Sequence, residues 1–101
     1  MTTKEAKQIT LKVWRYIATH SRIESKLGLP EDLLVLIRHL TNRCPLCEVL
    51  IHHCMDCPLA LCMSTEEGNP GLYRVWREAG TGLERKKAAK AIVAKVKAWK
   101  V

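Results

Sequence analysis

Five cysteines lie within a nineteen-residue stretch of this 101-residue chain, and the other residues include none. They are Cys44, Cys47, Cys54, Cys57 and Cys62, and their spacing is C-x2-C-x6-C-x2-C-x4-C. Two C-x2-C pairs on adjacent turns can bring four thiolates to one tetrahedral ion. This cluster constrains the fold more than any other feature, because the segments on either side of it must converge on a single point.

A metal site explains the cluster better than a disulfide framework does. The number of cysteines is odd, and residues 1–5 do not resemble the start of a secretory signal peptide. We therefore expect a reducing, cytoplasmic location, where clustered cysteines more often hold metal than each other.

Thiolate ligands favour zinc or an iron–sulfur cluster over the hard cations calcium and magnesium. The intervals differ from the ferredoxin pattern C-x2-C-x2-C-x3-C-P, although Pro58 follows Cys57. Zinc is thus the preferred cofactor, with an iron–sulfur cluster as the alternative. A zinc ion held by four thiolates has no open position for water, so the site is expected to be structural.

Five cysteines cannot all bind one zinc ion, and the sequence leaves the choice open. The simplest ligand set is Cys44, Cys47, Cys54 and Cys57. Cys-Pro-Leu occurs at both residues 44–46 and residues 57–59, and proline favours the first position of a helix. If a helix begins at each, Cys62 lies just over one turn beyond Cys57 and replaces Cys54 as a ligand. His52 and His53 are interpreted as neighbours of the site rather than ligands.

The apolar pattern is helical along almost the whole chain. Thr2 and Glu5 match a capping box at the start of a first helix, and Gly28 is expected to end it. The stripe predicted to face the core consists of Ala6, Ile9, Val13, Tyr16, Ile17, His20, Ile23 and Leu27. Leu11 and Trp14 lie on the other side. They form either a protein-interaction surface or a face that another helix of the chain covers.

The remaining segments predict further helices. A helix after Pro30 should bury Leu33, Leu36, Ile37 and Leu40, with Leu34 and Val35 widening the face. Residues 64–71 read as a loop. A short helix should begin at Leu72, and Thr81 with Glu84 matches a second capping box. We predict one domain, comprising N-terminal helices (1–42), the metal site (43–63), the loop (64–71) and C-terminal helices (72–101).

The positive charge is concentrated at the C-terminal end. Residues 83–101 hold seven basic residues and one acidic residue, which accounts for six of the seven net positive charges. On a helical wheel, Lys86, Lys87, Lys90 and Lys97 cluster opposite the apolar residues. Such a face is either simply solvated, or binds nucleic-acid phosphates, or docks on a membrane surface or an acidic protein. No apolar run is long enough to span a bilayer.

Three motifs together resemble a known class of proteins. These are Cys44-Pro45-Leu46-Cys47, then Cys57-Pro58-Leu59 with Cys62, and Tyr73 spaced three residues before Trp76 ahead of an Ala/Lys-rich helix. The pattern is similar to small cysteine-rich proteins of bacteriophages and prophages and covers roughly residues 40–99. The resemblance implies a metal site but no established activity. For a protein of phage origin, the expected cytoplasmic location is the cytosol of the bacterial host. The long first helix and the His52-His53 pair have no counterpart in it.

The sequence therefore predicts an all-α protein, a bundle of four to five helices organised around a central four-cysteine zinc knuckle. No paired carboxylates, glycine-rich phosphate loop or nucleophile with a base is evident, so a non-enzyme is expected. The preferred function is a small zinc-binding accessory or regulatory protein that binds nucleic acid through its last helix. The alternatives are a protein-interaction module or modulator of a host system, and an iron–sulfur redox protein. The oligomeric state stays open, with a dimer among the options.

Overall fold

The computed structural model describes residues 1–40, 43–50, 57–59 and 71–100, and within these ranges the fold is helical with no strand. The described helices are α1 (Thr3–Thr19), α2 (Glu31–Ile37), α3 (Pro45–Val49), α4 (Leu72–Glu78) and α5 (Gly82–Ala98), with a 3-10 turn at Lys26–Gly28. The predicted all-α class is confirmed. The predicted loop at 64–71 lies, except for Gly71, outside the described residues.

Helix α1 begins as predicted but ends earlier. The Thr2 hydroxyl accepts a hydrogen bond from Glu5 N, and the Glu5 carboxylate accepts one from Thr2 N, which completes the capping box. The helix stops at Thr19, so its predicted extension to Leu27 is wrong. Near this end the Thr19 hydroxyl donates to Tyr16 O, and His20 Nδ1 lies 2.8 Å from the same oxygen. Such side-chain bonds to the backbone compete with helix continuation.

Beyond this early end, two residues of the predicted stripe do not face the core, whereas Ile23 is half-buried and packs against it. His20 is exposed, and Leu27 is 58% exposed. Ala6, Val13 and Ile17 are buried as predicted.

Helices α1 and α5 lie antiparallel. Lys7 near the start of α1 donates a hydrogen bond to Trp99 O just beyond the end of α5. At the opposite ends, Arg85 Nε donates to Ser21 O at 2.7 Å. Four residues of α5 are buried in the core: Ala88, Ala89, Ile92 and Val96. The predicted apolar face of the last helix is confirmed.

Trp14 corrects one prediction. Its side chain is only 2% exposed, so it cannot form the exposed contact surface proposed with Leu11. It packs edge-on against Trp76 of α4, with ring centroids 4.9 Å apart, and against Tyr73 at 6.0 Å. Leu11 is half-buried and packs against the same core. The alternative, that another helix of the chain covers this side of α1, is confirmed.

The segment around α2 follows its predicted pattern with one exception. Leu33, Ile37 and Leu40 are buried, together with Leu29 before the helix. Val35, predicted to widen the buried face, is 44% exposed. Proline precedes the helix and acidic Glu31 and Asp32 occupy its first turn, where the helix dipole favours negative charge. Among the described helices, none has the length and apolar character needed to cross a membrane.

Candidate functional site

Cys44 and Cys47 are positioned by the start of α3. Cys44 is the N-cap residue with extended backbone, Pro45 takes the first helical position, and Cys47 follows within the first turn. This confirms that Cys44-Pro45 opens a short helix. Pro45 and Leu46 are buried, and Leu46 is 0% exposed. The fixed Leu46 side chain therefore holds α3 against the core while both thiols remain half-buried at its N-terminal end.

The thiol of Cys44 has an altered acidity. A hydrogen bond from the Cys47 side chain lowers the pKa of Cys44 to about 6, in spite of the opposing effect of burial. The Lys26 ammonium and the backbone N–H groups of Leu46 and Cys47 act in the same direction. Donors at the first turn of a helix favour a thiolate for the same reason that they favour other anions. This end of α3 thus favours the thiolate form of Cys44.

Cys57 contacts the same core from a second segment. Its side chain is half-buried and packs against the core cluster, as does that of Cys44. Leu59 N donates a hydrogen bond to Cys57 Sγ at 3.4 Å, and the Leu59 side chain is buried. Residues 57–59 form a bend and a turn. The helix expected to follow Cys57-Pro58 lies outside the described residues.

The structure brings Cys44 and Cys47 together but does not describe a complete ligand set. Cys54, Cys62, His52 and His53 all lie outside the described residues. Cys44, Cys47 and Cys57 are all half-buried. Within the described part of the chain, no three His, Cys, Asp or Glu side chains form a group able to hold a metal ion. A metal site that includes these thiols stays a prediction, and so does the choice between Cys54 and Cys62.

The four lysines predicted on the outer face of the last helix all lie on the surface of α5. Lys86, Lys87, Lys90 and Lys97 are exposed. None of them forms an ion pair with a residue that the structure describes. Arg85, by contrast, lies towards the packed side of α5, where it bonds Ser21 O and has Nη1 3.5 Å from Glu24 Oε1. The lysine face, defined here as Lys86, Lys87, Lys90 and Lys97, therefore carries positive charge that its described neighbours do not compensate.

Lys26 is a functional candidate that the sequence did not indicate. It is 6% exposed, and its ammonium donates to Arg43 O at 3.0 Å. The same nitrogen lies 4.8 Å from the ring centroid of Tyr73 and 5.8 Å from that of Trp14. A lysine in a polar turn between two helices gives no sequence signal of burial. The positive charge of Lys26 also helps to lower the pKa of the Cys44 thiol. Lys26 therefore links the cysteine segment electrostatically to the aromatic residue Tyr73 of α4.

Comparison of the chain with protein-family models, with curated proteins and with solved structures finds no match.

Proposed function

We propose that this protein is a small zinc-stabilised helical protein that binds nucleic acid through the lysine face of α5. The observation that carries the proposal is the exposure of all four lysines on a helix whose opposite side is buried. A helix anchored in this way presents its charges at fixed spacing. Lysines that contact phosphates release counterions and bind without reading sequence. The resemblance to phage and prophage proteins gives this accessory or regulatory role its context.

The proposed role of zinc is to hold the cysteine segment in place. Cys44 and Cys47 on α3 would supply two thiolates, Cys57 a third, and Cys54 or Cys62 the fourth. The fit rests on the donor chemistry, since thiolate sulfur is a preferred zinc ligand and Cys44 has hydrogen-bond donors around its sulfur. Bound zinc contributes folding free energy directly in sites of this type.

The test of nucleic-acid binding is charge reversal of the lysine face. Fluorescence anisotropy with labelled duplex and single-stranded DNA and RNA should show affinity that falls steeply as salt increases. Changing all four lysines to Glu should abolish binding. Lys90→Gln alone should lower the slope of log affinity against log salt by about one, if the side chain contacts one phosphate.

A matched control keeps the net charge change the same while moving it elsewhere. Lys4, Lys12, Arg15 and Arg22 are also exposed, on or just after α1. Reversing these four to Glu should leave most of the affinity intact. Equal loss in the two quadruple variants would mean that net charge alone drives binding, and no binding by the parent protein at low salt would reject the function.

Metal identity is a separate measurement. Elemental analysis of protein purified anaerobically should give one zinc ion per chain in a colourless sample. A coloured sample that contains iron and acid-labile sulfide would replace zinc by the iron–sulfur alternative.

A further inference from the structure

A cavity of about 450 Å³ lies between the 3-10 turn, the end of α4 and the start of α5. Its volume falls within the range of roughly 300–1,000 Å³ that is usual for small-molecule sites. Four cationic side chains and two aromatic rings contribute to its lining: Lys26, Arg43, Arg77, Arg85, Tyr73 and Trp76. None of these residues belongs to the lysine face of α5.

The charge around the cavity is unbalanced. Glu24 is the one acidic residue among the described residues that line it. Its carboxylate lies 3.5 Å from Arg85 and is mostly in solvent, with a side chain 75% exposed. Arg43 and Arg77 have no ion-pair partner within the described part of the chain. Among the described residues of the lining, positive charge therefore exceeds negative charge.

Two lining residues, Trp76 and Lys26, carry buried polar groups. The indole N–H of Trp76 is buried and has no hydrogen-bond acceptor among the described residues. Buried donors are normally satisfied, and an unmet one carries a free-energy cost. Lys26 places a cation in the wall with little exposure to water. The hydrogen bond to Arg43 O holds this ammonium in place, so that it adds positive charge to the wall at a fixed position.

The backbone at the edge of the cavity also has an unusual conformation. Arg43 has φ of 50°, in the left-handed region that residues with a Cβ seldom adopt. Its carbonyl accepts the hydrogen bond from Lys26. This contact ties the Arg43 backbone to a buried part of the wall and fixes the point from which the Arg43 side chain extends. Held conformations of this kind are common at ligand sites.

We propose that this cavity binds the phosphate group of a nucleotide. Arg77 and Arg43 have guanidinium groups suited to phosphate oxygens, and Lys26 adds a fixed charge. The half-buried Tyr73 ring provides an aromatic surface for the attached base. A free nucleoside monophosphate and the 5′-phosphorylated end of a nucleic-acid strand carry the same phosphate monoester, and either source satisfies this chemistry. The site is separate from the lysine face and does not depend on it.

Isothermal titration calorimetry with the full chain tests the site. Adenosine 5′-monophosphate should bind, whereas adenosine should bind at least tenfold more weakly because it lacks the phosphate. Arg77→Gln should weaken binding of the monophosphate about tenfold, which is the effect of losing one charge-assisted hydrogen bond. Arg77 is exposed and makes no described ion pair, so the variant should fold, and circular dichroism checks this. The matched control is Lys95→Gln, an exposed cation on α5 that does not line the cavity.

A second readout locates the ligand. In a ¹⁵N-correlated NMR spectrum, inorganic phosphate and the monophosphate should both shift the indole resonance of Trp76, assigned with Trp76→Phe. A matched pair of short oligonucleotides, with and without a 5′-phosphate, identifies the source. If the phosphorylated oligonucleotide binds at least tenfold more tightly than the unphosphorylated one, the site recognises strand ends. If the two oligonucleotides bind equally while the monophosphate binds tightly, the site recognises free nucleotides.

The outcomes separate this site from the proposed function. The quadruple Glu variant of the lysine face should keep monophosphate binding, and Arg77→Gln should keep salt-dependent binding to duplex DNA. Failure of the monophosphate to bind, or equal binding of adenosine, would overturn the phosphate site. Binding that Arg77→Gln and Lys95→Gln weaken equally would also overturn it, since the charge effect would then not belong to the cavity.

Discussion

The antiparallel pair α1 and α5 differs from the cysteine segment in what holds it together. Each helix of the pair has seventeen residues and an N-cap threonine that accepts a backbone hydrogen bond. Helix α3 has five residues and no side-chain cap. Isolated helices shorter than about 12–15 residues are marginal in water. The helix pair can be stabilised by apolar burial along its length, whereas α3 depends on contacts made beyond itself.

Within the cysteine segment, the structure describes residues 43–50 and 57–59. Among these, Leu46 and Leu59 belong to the buried core, and Cys44 and Cys57 pack against it. The cysteines therefore lie in the segment of the chain whose stability would gain most from a cross-link. A bound metal would supply that cross-link.

The largest expected effect is that of removing the proposed zinc ion. A strong zinc chelator under reducing conditions should lower the urea midpoint and reduce the helical circular dichroism. In zinc-finger peptides, bound zinc contributes about 10–16 kcal/mol near neutral pH, which sets the upper scale. Cys47→Ser should reproduce the loss, and the chelator should then add nothing further.

An unchanged ellipticity and urea midpoint after complete metal removal would contradict this prediction. The cysteine segment would then be stable without a metal, as the helix pair is. Additive effects of chelator and Cys47→Ser would mean that Cys47 stabilises the fold by a route other than metal binding.

The next effect probes the core of the helix pair. Ile92 is 0% exposed, and Ile92→Ala should lower the free energy of unfolding by about 2–5 kcal/mol, since it removes buried methyl groups and leaves a cavity. Leu83→Ala on the same helix is the control, because Leu83 is 79% exposed and should change stability by less than about 0.5 kcal/mol. Urea denaturation measures both, and similar values for the two would contradict the assigned faces of α5.

The outcome at α5 shows why part of this fold could be predicted. Its apolar residues recur at helical spacing, so burial of Ala89, Ile92 and Val96 follows from the sequence. The same reasoning failed at Leu27, because periodicity continues past a point where side chains of Thr19 and His20 end the helix. It also failed at Trp14, since α1 is covered on two sides and a single stripe underestimates its buried face.

The candidate sites divide in the same way. The opening of α3 at Cys44-Pro45 follows from local chemistry, and so does the exposure of the lysine face. The cavity does not, because it assembles Lys26, Arg43, Arg77 and Arg85 from four separate segments. No local pattern marks residues that meet only through tertiary packing. The approach of Lys26 to Tyr73 and Trp14 is of the same kind.

A smaller effect is expected at the start of α5. The Thr81 hydroxyl accepts a hydrogen bond from Glu84 N, while the Glu84 carboxylate accepts one from Gly80 N instead of from the cap residue. Thr81→Ala should cost about 1 kcal/mol of stability, since one backbone donor loses its acceptor. Thr19→Ala at the C-terminal end of α1 should cost less than about 0.5 kcal/mol. The reason is that the Tyr16 carbonyl, which accepts from the Thr19 hydroxyl, is also contacted by His20 Nδ1. Equal losses of stability for Thr81→Ala and Thr19→Ala in thermal unfolding would contradict the capping role assigned to Thr81.

The smallest effect concerns the pH dependence of the complete capping box on α1. Hydrogen bonds from the Thr2 backbone N–H and hydroxyl lower the pKa of Glu5 below its ordinary value. A carboxyl whose pKa is lowered by folding stabilises the protein above its unfolded pKa, and this contribution is lost as pH falls through the native pKa. The parent protein should therefore lose stability on acidification relative to Glu5→Gln, which keeps an acceptor but does not titrate. Thermal midpoints of the two proteins between neutral and acidic pH measure the difference. If both midpoints fall equally with pH, ionisation of Glu5 does not contribute to the stability of the helix pair.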